Sequence, residues 1–209
     1  MKRTTEPNGH VRNAARTQAA LLDAALQVFL RDGYGGATTE EIVDRAGVTR
    51  GALYHHFANK RELFRGVIER TQREIAEALM PTGPADDSWE AFVGVVLTAL
   101  DSVHDPATRR LLLIEAPAVL GWIDIRKAQE PLLHSIAALL EPFETGHHRE
   151  PSIRAFLLAR LLLAAVEEAM LYLAHTDNPK RDRRIVQDEV CKILENAGPR
   201  RVLISETQL

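Results

Sequence analysis

The segment from residue 38 to residue 60 concentrates side chains that could bind nucleic acid. It reads TTEEIVDRAGVTRGALYHHFANK and combines a guanidinium with hydroxyl and imidazole groups. A guanidinium can donate two hydrogen bonds to the edge of a guanine, and hydroxyl and imidazole groups can bind phosphate oxygens. We therefore predict a DNA-contacting surface that includes Thr39, Thr49, Arg50, Gly51, Tyr54 and His55.

Two short helices joined by a turn are predicted to position these side chains. The first would begin after Thr38, whose hydroxyl can accept from the backbone amide of Glu41 while the Glu41 carboxylate reaches back to the Thr38 amide. It would end at Gly47, and Thr49 would cap a second helix that ends near Phe57. Two short helices separated by a glycine-containing turn are typical of a helix-turn-helix.

The second short helix is predicted to have two different faces. Leu53 and Phe57 lie four residues apart and would pack inward, which leaves the polar residues on the opposite face. Gly51 has a low helix propensity, and a close approach of DNA to the backbone is a physical reason for a glycine there. The alternative is a helical hairpin whose polar face is only solvated.

The rest of the chain also predicts helices. Apolar residues recur at a spacing of about 3.6 and the alternating pattern of strands is missing, so we predict an all-α protein. Gly33 would end the first helix, and Pro131 would kink or break a later one. The longer predicted helices span about 14–32, 60–80, 88–103, 106–116, 121–144, 152–175 and 180–197, with Pro117 among the residues that separate them.

Composition excludes several classes of protein. The chain has 209 residues, 45% of them hydrophobic, which is enough for a sizeable core. One cysteine, Cys191, excludes an internal disulfide framework. Neither a signal peptide nor an uncharged apolar run long enough to cross a membrane is evident. We therefore expect a cytoplasmic protein without a membrane span.

The net charge of −3 is divided unevenly along the chain. Residues 1–66 hold ten of the 26 Lys and Arg residues and seven of the 29 Asp and Glu residues, which makes this part +3 and the remainder −6. Uneven composition alone could produce this difference. It is also compatible with a first part that meets a polyanion and a second part that does not.

Part of this sequence resembles the N-terminal domain of the TetR family of bacterial transcriptional regulators. The resemblance rests on Ala24-Ala25, Phe29, Gly33–Thr39, Ile42, Ala46–Val48, Gly51–Phe57 and Lys60–Leu63. It implies a homodimer that binds a palindromic DNA operator. Within each protomer it implies that Thr49, Arg50 and Gly51 reach bases. It further implies that phosphate or a thymine methyl is held by Tyr54, His55, His56 and Lys60, and that phosphate is bound by Thr38 and Thr39.

We predict four parts along the chain. A flexible N-terminal arm would cover residues 1–13, and a helix-turn-helix DNA-binding domain would cover residues 14–66. A helical effector-binding and dimerisation domain would follow over residues 67–198, and a C-terminal tail over residues 199–209 would complete the chain.

Two predicted helices of the second domain resemble those with which the family dimerises. Residues 152–175 are apolar on more than one face, so this helix must be covered on several sides. Arg160 lies two turns before Glu167 and Glu168, and we expect an ion pair across the dimer there. An internal core helix is the alternative. The predicted interface residues are Arg160, Glu167, Glu168, Leu171, Val190 and Leu194.

A small-molecule effector is predicted to bind in the same domain. Such sites are mostly apolar, with a few polar groups that orient the ligand. The stretch Glu115–Trp122 also resembles a segment of one subgroup of TetR-like C-terminal domains. The candidate residues are Trp89, Phe92, Glu115, Trp122, Arg126, His134, Phe156 and Tyr172, each of which could instead belong to the core or the surface.

Motifs for catalysis or strong metal binding are missing from the sequence. It contains no Gly-x-Ser-x-Gly elbow, phosphate loop or H-E-x-x-H helix, so we predict no catalytic residue, cofactor or metal. His147, His148 and Glu150 could bind a metal weakly, and we favour a solvated loop.

The sequence as a whole predicts a ligand-responsive repressor that binds double-stranded DNA as a homodimer. One alternative is a regulator that responds to a protein partner or to no ligand. The other is a helical enzyme or carrier that retains the hairpin only as a scaffold.

Overall fold

A computed structural model describes residues 9–80, 88–102, 105–143 and 151–197. Regular secondary structure in these ranges is helical throughout, as predicted. The helices are α1 (Gly9–Gly36), α2 (Thr39–Ala46), α3 (Arg50–His56), α4 (Lys60–Leu79), α5 (Trp89–Ser102), α6 (Pro106–Arg109), α7 (Ala116–Leu120), α8 (Trp122–Ala128), α9 (Glu130–Leu140), α10 (Ile153–His175) and α11 (Pro179–Ala197). A π-helical turn (Arg110–Glu115) connects α6 to α7, and a 3₁₀ turn (Glu141–Phe143) follows α9. None of the helices in the described ranges is long and apolar enough to cross a membrane.

Several helix boundaries differ from the predicted ones. α1 begins at Gly9, five residues earlier than predicted, so the end of the predicted arm is helical. Pro117 does not separate two helices but lies in the first turn of α7, where its missing amide hydrogen is not needed. The predicted helix over 121–144 is broken at Gln129, next to Pro131, which confirms the predicted break. Residues 1–8, the loop with His147, His148 and Glu150, and the tail over 199–209 lie outside the described residues.

The first compact unit combines the chain up to Ile75 with residues 105–130. One face of α1 packs on α2, α3 and the π-helical turn. The division differs from the predicted boundary at residue 66, since residues from 105–130 contribute to the core of this unit. The largest fully buried side chains of this core include Leu21, Val28, Phe29, Ile42, Leu53, Leu63, Phe64, Val67, Ile68 and Leu111.

A polar anchor holds the π-helical turn against the end of α1. Gly33 has φ 73° and ψ 173°, a backbone conformation that is essentially restricted to glycine, and it interrupts the helix where the sequence predicts an end. The amide of Tyr34 donates to Glu115 Oε2 at 2.8 Å. Glu115 also pairs with Arg110 at 3.2 Å, and the Arg110 guanidinium donates to the carbonyl oxygen of Leu30 at 2.7 Å. The amide of Tyr34 and the carbonyl oxygen of Leu30, next to the interruption, therefore bond to charged side chains.

A second polar anchor joins the beginning of α4 to α7 and α8. Asp124 accepts from Arg61 at 3.1 Å and from Arg65 at 2.8 Å. Arg61 also donates to the carbonyl oxygens of Val119 and Leu120, at 3.2 and 2.9 Å. The arginine thus satisfies carbonyl groups at the end of α7 that have no partner within that helix.

The second compact unit contains the described residues from Ala76 to Ser102 and from Pro131 onward. Within it, α10 packs against α5 and α11, and α11 packs against α5. Its buried apolar residues are Ala76, Phe92, Leu100, Leu132, Leu133, Ala137, Leu140, Ala155, Ala159, Leu162, Met170, Leu173, Val190 and Leu194.

Asp182 ties the beginning of α11 to the end of α10. The residue is 2% exposed, and its carboxylate accepts from Arg181 Nε at 2.6 Å and from the hydroxyl of Thr176. These hydrogen bonds, first the one from Arg181 and then the one from Thr176, lower the pKa of Asp182 below its ordinary value of 3.8. The ionised carboxylate therefore stabilises this junction.

Acid is expected to weaken the second unit through Asp182. The pKa of this group is lower in the folded than in the unfolded chain, so its contribution is complete above the ordinary aspartate pKa and is lost as the pH falls through the folded value. Asp182→Asn should lower the melting temperature most near about pH 7 and progressively less toward about pH 3. Melting followed by circular dichroism measures this difference, and an equal decrease at every pH would contradict the prediction.

Candidate nucleic-acid interface

Side-chain caps set the ends of α2 and α3. Thr38 Oγ1 accepts from the Glu41 amide at 3.3 Å, and Thr49 Oγ1 accepts from the amide three residues later at 3.2 Å. Gly47 ends α2 in the left-handed conformation, with φ 65° and ψ 33°. The Glu41 carboxylate accepts from Arg31 on α1 and not from the Thr38 amide, which corrects the second half of the predicted capping box.

α3 turns one polar face toward solvent. Leu53 is fully buried and Phe57 is 7% exposed, as their spacing predicts. No carboxylate occurs on α3, whose sequence is RGALYHH. Thr38 is exposed and Thr39 is half-buried at the beginning of α2, while Thr49, Arg50, Gly51, Tyr54 and His55 are exposed on or next to α3 and His56 is half-buried beside them.

Arg50 is held over this face by two neighbours. Its guanidinium pairs with Glu40 at 3.0 Å and lies 5.5 Å from the centre of the Tyr54 ring. Both charged side chains are more than half exposed, so water screens the pair and it contributes little to stability. Arg50 can therefore exchange Glu40 for a base or phosphate at small cost.

Glu40 was not among the predicted site residues. Its pKa is lowered by a hydrogen bond from its own backbone amide and then by the Thr39 hydroxyl, with a smaller contribution from the charge of Arg50. The carboxylate is thus ionised beside the predicted contact surface. Its position in the first turn of α2, ten residues before Arg50, is the sequence feature from which its place beside the contact surface could have been predicted.

The protein without DNA does not require a glycine at position 51. A side-chain carbon added there would meet only Thr49 Oγ1, at 3.8 Å, which is ordinary contact. Gly51 is exposed in the first turn of α3, where glycine is a poor helix former. The space above this backbone is therefore open to a ligand.

Lys60 at the beginning of α4 places its positive charge beside the loop that precedes α2. Its Nζ donates to the carbonyl oxygen of Ala37 at 2.8 Å and lies 4.5 Å from the centre of the Tyr34 ring. That ring packs on Phe64 in the core, with 4.9 Å between ring centres. An ammonium group has three donors, so Lys60 can keep the Ala37 bond and still bind phosphate.

Loss of the Thr49 cap is expected to destabilise α3. Thr49→Ala removes the acceptor for an amide at the helix start and should lower the free energy of unfolding by about 1 kcal/mol, whereas Thr49→Ser retains the acceptor. Urea denaturation of the two variants measures the difference. Equal stability of the alanine and serine variants would show that the cap contributes nothing.

In the second unit, the predicted effector residues form separate contacts. The rings of Trp89 and Phe92 lie 5.1 Å apart, and those of His134 and Phe156 lie 4.8 Å apart. Tyr172 is 54% exposed at the surface of α10. The structure thus brings four of these residues together in two pairs.

In the first unit, the remaining effector candidates serve other contacts. Glu115 is the acceptor of the anchor at the end of α1. Trp122 is 60% exposed, and the Arg126 guanidinium lies 4.9 Å from its ring centre. Glu115 therefore has a structural role that the sequence did not reveal.

The predicted dimer residues divide between surface and core. Glu168 is exposed, and Arg160, Glu167 and Leu171 are half-buried on α10. Val190 and Leu194 of α11 are 6% and 0% exposed, so they pack in the core of the second unit. The large apolar residues that α10 and α11 leave exposed are Ile153, Leu157, Leu161, Tyr172, Ile185 and Ile193.

A capped helix-turn-helix with an acid-free outer helix face defines a class of DNA-binding proteins. The family model "Bacterial regulatory proteins, tetR family" matches residues 21–67, and the model "Tetracyclin repressor-like, C-terminal domain" matches residues 89–197. The chain belongs to the TetR family. It is a DNA-binding transcriptional regulator and not an enzyme.

Relatives of known sequence match part of this chain. The transcriptional regulator SrpR of Pseudomonas putida is 39% identical over 97 residues, which are 46% of this chain and 44% of SrpR. The regulator AcrR of Shigella flexneri is 35% identical over 106 residues, 48% of this chain and 47% of AcrR. The chain thus matches less than half the length of these two relatives.

Solved structures resemble the fold over a larger part of the chain. A TetR-family regulator from Pectobacterium atrosepticum is 27% identical and superposes with a TM-score of 0.67 over 89% of this chain and 94% of its own. The regulator FadR of Bacillus subtilis, solved with stearoyl-CoA, is 18% identical, with a TM-score of 0.62 over 84% and 96% of the two chains. The second likeness concerns the fold alone.

Proposed function

We propose that this chain is a cytoplasmic, ligand-responsive repressor that binds a palindromic operator as a homodimer. The observation that carries the proposal is the exposed face of α3, where Arg50, Gly51 and Tyr54 are accessible together and α3 itself contributes no carboxylate. A helix of this kind reads base edges in the major groove, and paired helices require half-sites one helical turn or a multiple apart.

Repression is the proposed sign of regulation. Among the relatives, BepR of Brucella suis is named a repressor and FasR of Mycolicibacterium smegmatis is named an activator. A regulator that occupies DNA at a promoter acts most simply by excluding polymerase from it. Loss of transcription from the regulated promoter on deletion of the gene would contradict this sign.

Operator geometry tests the dimeric mode of binding. Footprinting on the DNA upstream of the gene should reveal two protected half-sites related by symmetry, with two protomers bound per site. Insertion of five base pairs between the half-sites turns one of them to the opposite side of the duplex and should abolish tight binding, while ten base pairs restore the phase. Equal binding to both spacings would contradict a rigid dimer.

An unpaired donor in the second unit supports an effector site. Trp89 packs on Phe92 and Phe143, with ring centres 5.1 and 5.0 Å away, and its Nε1 is buried without a hydrogen-bond partner in the described part of the chain. A buried donor of this kind needs an explanation, and a ligand acceptor would provide one. We therefore place a largely apolar effector with one acceptor beside Trp89.

Tryptophan fluorescence tests this effector site. Trp122→Phe leaves Trp89 as the only tryptophan, since the chain has two. Titration with stearoyl-CoA, the compound bound to FadR, and then with other apolar compounds should change the Trp89 emission and release operator DNA. Trp89→Phe should abolish the release but not operator binding. Release that persists in Trp89→Phe would contradict this effector site. Absence of any response would favour a regulator that responds to a protein partner or to no ligand.

A further inference from the structure

Two neighbours restrain the Arg50 side chain from different directions. Its guanidinium lies over the Tyr54 ring, 5.5 Å from the ring centre, and Nη1 lies 3.0 Å from Glu40 Oε1. The ring attracts the face of the guanidinium, and the carboxylate attracts one end of it. A long arginine side chain free in water samples many rotamers, and these two contacts together favour one orientation.

The Glu40 carboxylate is itself held in place. Oε2 accepts from the Thr39 hydroxyl at 3.2 Å, and the backbone amide of Glu40 donates to the same carboxylate. Glu40 also lies in the first turn of α2, where the helix dipole favours a negative charge. Glu40 is therefore anchored to α2, and its contact with Arg50 connects α2 to α3.

One edge of the guanidinium remains available for DNA. Glu40 faces Nη1, while the edge formed by Nε and Nη2 has no polar partner in the described part of the chain. Nε and Nη2 are parallel donors that match the O6 and N7 acceptors of guanine. Arg50 can therefore contact a guanine without leaving Glu40, whereas a phosphate on the Nη1 side would have to displace the carboxylate.

We propose that Glu40 is a positioning residue that directs Arg50 toward a guanine and thereby determines part of the base preference. It acts through Arg50 and does not contact a base itself. This inference rests on the DNA-reading role proposed above for α3. It adds a residue of α2, outside the contact surface predicted from the sequence, to the specificity of that helix.

The expected size of the effect follows from the strengths of the contacts. An exposed ion pair changes an equilibrium by about fivefold at most, so loss of Glu40 should leave the fold intact. A bidentate arginine contact discriminates between bases by about five- to 150-fold. Loss of the restraint on Arg50 weakens this contact without removing it, and we expect discrimination to decrease by about three- to tenfold.

Operator variants test the effect of Glu40→Ala. Competition binding to a set of single-base variants first identifies the base pair at which Arg50→Ala lowers the preference. Glu40→Ala should lower the preference at the same base pair by about three- to tenfold and leave the other positions unchanged. Binding to a scrambled duplex should not weaken, because the substitution removes a negative charge near a polyanion. An unchanged profile, or a uniform change at all positions, would overturn the proposal.

Two further variants separate positioning from charge. Glu40→Gln removes the charge but retains an oxygen that can accept from Arg50, so it should retain more of the preference than Glu40→Ala. Glu41→Ala removes a negative charge from the same turn, but the Glu41 carboxylate accepts from Arg31 and not from Arg50. This control should leave the preference unchanged. Equal profiles for Glu40→Ala and Glu41→Ala would mean that charge alone matters and would exclude the positioning role.

A double-variant cycle tests whether Glu40 acts through Arg50. In an Arg50→Ala background, Glu40→Ala should cause no further loss of base preference. A further loss there would mean that Glu40 contacts DNA itself and would contradict the proposal. A parent protein that does not prefer its operator would overturn the proposed function and this inference with it. Operator preference that is insensitive to Glu40 would overturn the positioning role alone.

Discussion

Replacement of Gly33 with alanine is expected to destabilise the DNA-binding unit by roughly 3 kcal/mol. The Gly33 backbone has φ 73°, where a side chain is strained. The new Cβ would also lie 2.5 Å from Glu115 Oε1, so the carboxylate must move. This movement breaks the hydrogen bond from the Tyr34 amide and the ion pair with Arg110. A partly buried amide would be left without its acceptor.

Gly35→Ala is the matched control for this substitution. Gly35 lies two residues away, has no positive φ, and has open space where a Cβ would be added. Urea denaturation followed by circular dichroism should therefore show a large loss of stability for Gly33→Ala and almost none for Gly35→Ala. Similar stabilities for the two variants would mean that neither the backbone conformation nor the Glu115 contact matters.

Replacement of Arg50 with alanine is expected to relax base preference at one position of each half-site by about 1–3 kcal/mol. Arg50 is exposed on α3, where it contacts the ring of Tyr54 and forms a screened pair with Glu40 in the protein alone. Its guanidinium is thus available for a base edge. The stability of the unit should not change, since the side chain packs on no core residue.

Lys60→Ala provides the contrast for Arg50→Ala. Lys60 is predicted to bind phosphate, so its loss should weaken binding to all sequences alike and lower the salt dependence by about one charge. It also donates to the Ala37 carbonyl, and a small loss of stability is expected. Competition binding to a set of single-base operator variants measures both profiles. The same specificity profile for both substitutions would contradict the assigned roles.

Local features of this chain could be predicted because their causes are local. Thr38 and Thr49 cap helices with amides three residues away, and Leu53 and Phe57 share a face because they are four residues apart. The break next to Pro131 follows from the missing amide hydrogen. These features define the helix-turn-helix and hence most of the predicted contact surface.

Long-range polar contacts could not be predicted from the same patterns. Glu115 and Tyr34 are 81 residues apart, and Asp124 and Arg61 are 63 residues apart. Periodicity reports which side of a helix is apolar but not which distant helix covers it. For this reason Glu115 was assigned to an effector pocket, whereas it anchors the π-helical turn.

The distinction between core and interface also requires the fold. Val190 and Leu194 were predicted to contact a second copy, but they are buried in the second unit, and Ile185 and Ile193 of the same helix are exposed. Both pairs are apolar and have helical spacing. The packing of α11 on α10 and α5 decides between them, and this information is absent from the sequence pattern.

Equilibrium DNA binding tests the central claim most directly. Fluorescence anisotropy would compare a duplex from the region upstream of the gene with a scrambled duplex of equal length, at two salt concentrations. Specific recognition by α3 predicts binding to the upstream duplex about a thousandfold tighter or more, with two protomers per site and a preference that persists at the higher salt. Equal binding to both duplexes, or binding to neither by the folded protein, would contradict sequence-specific regulation through this helix-turn-helix.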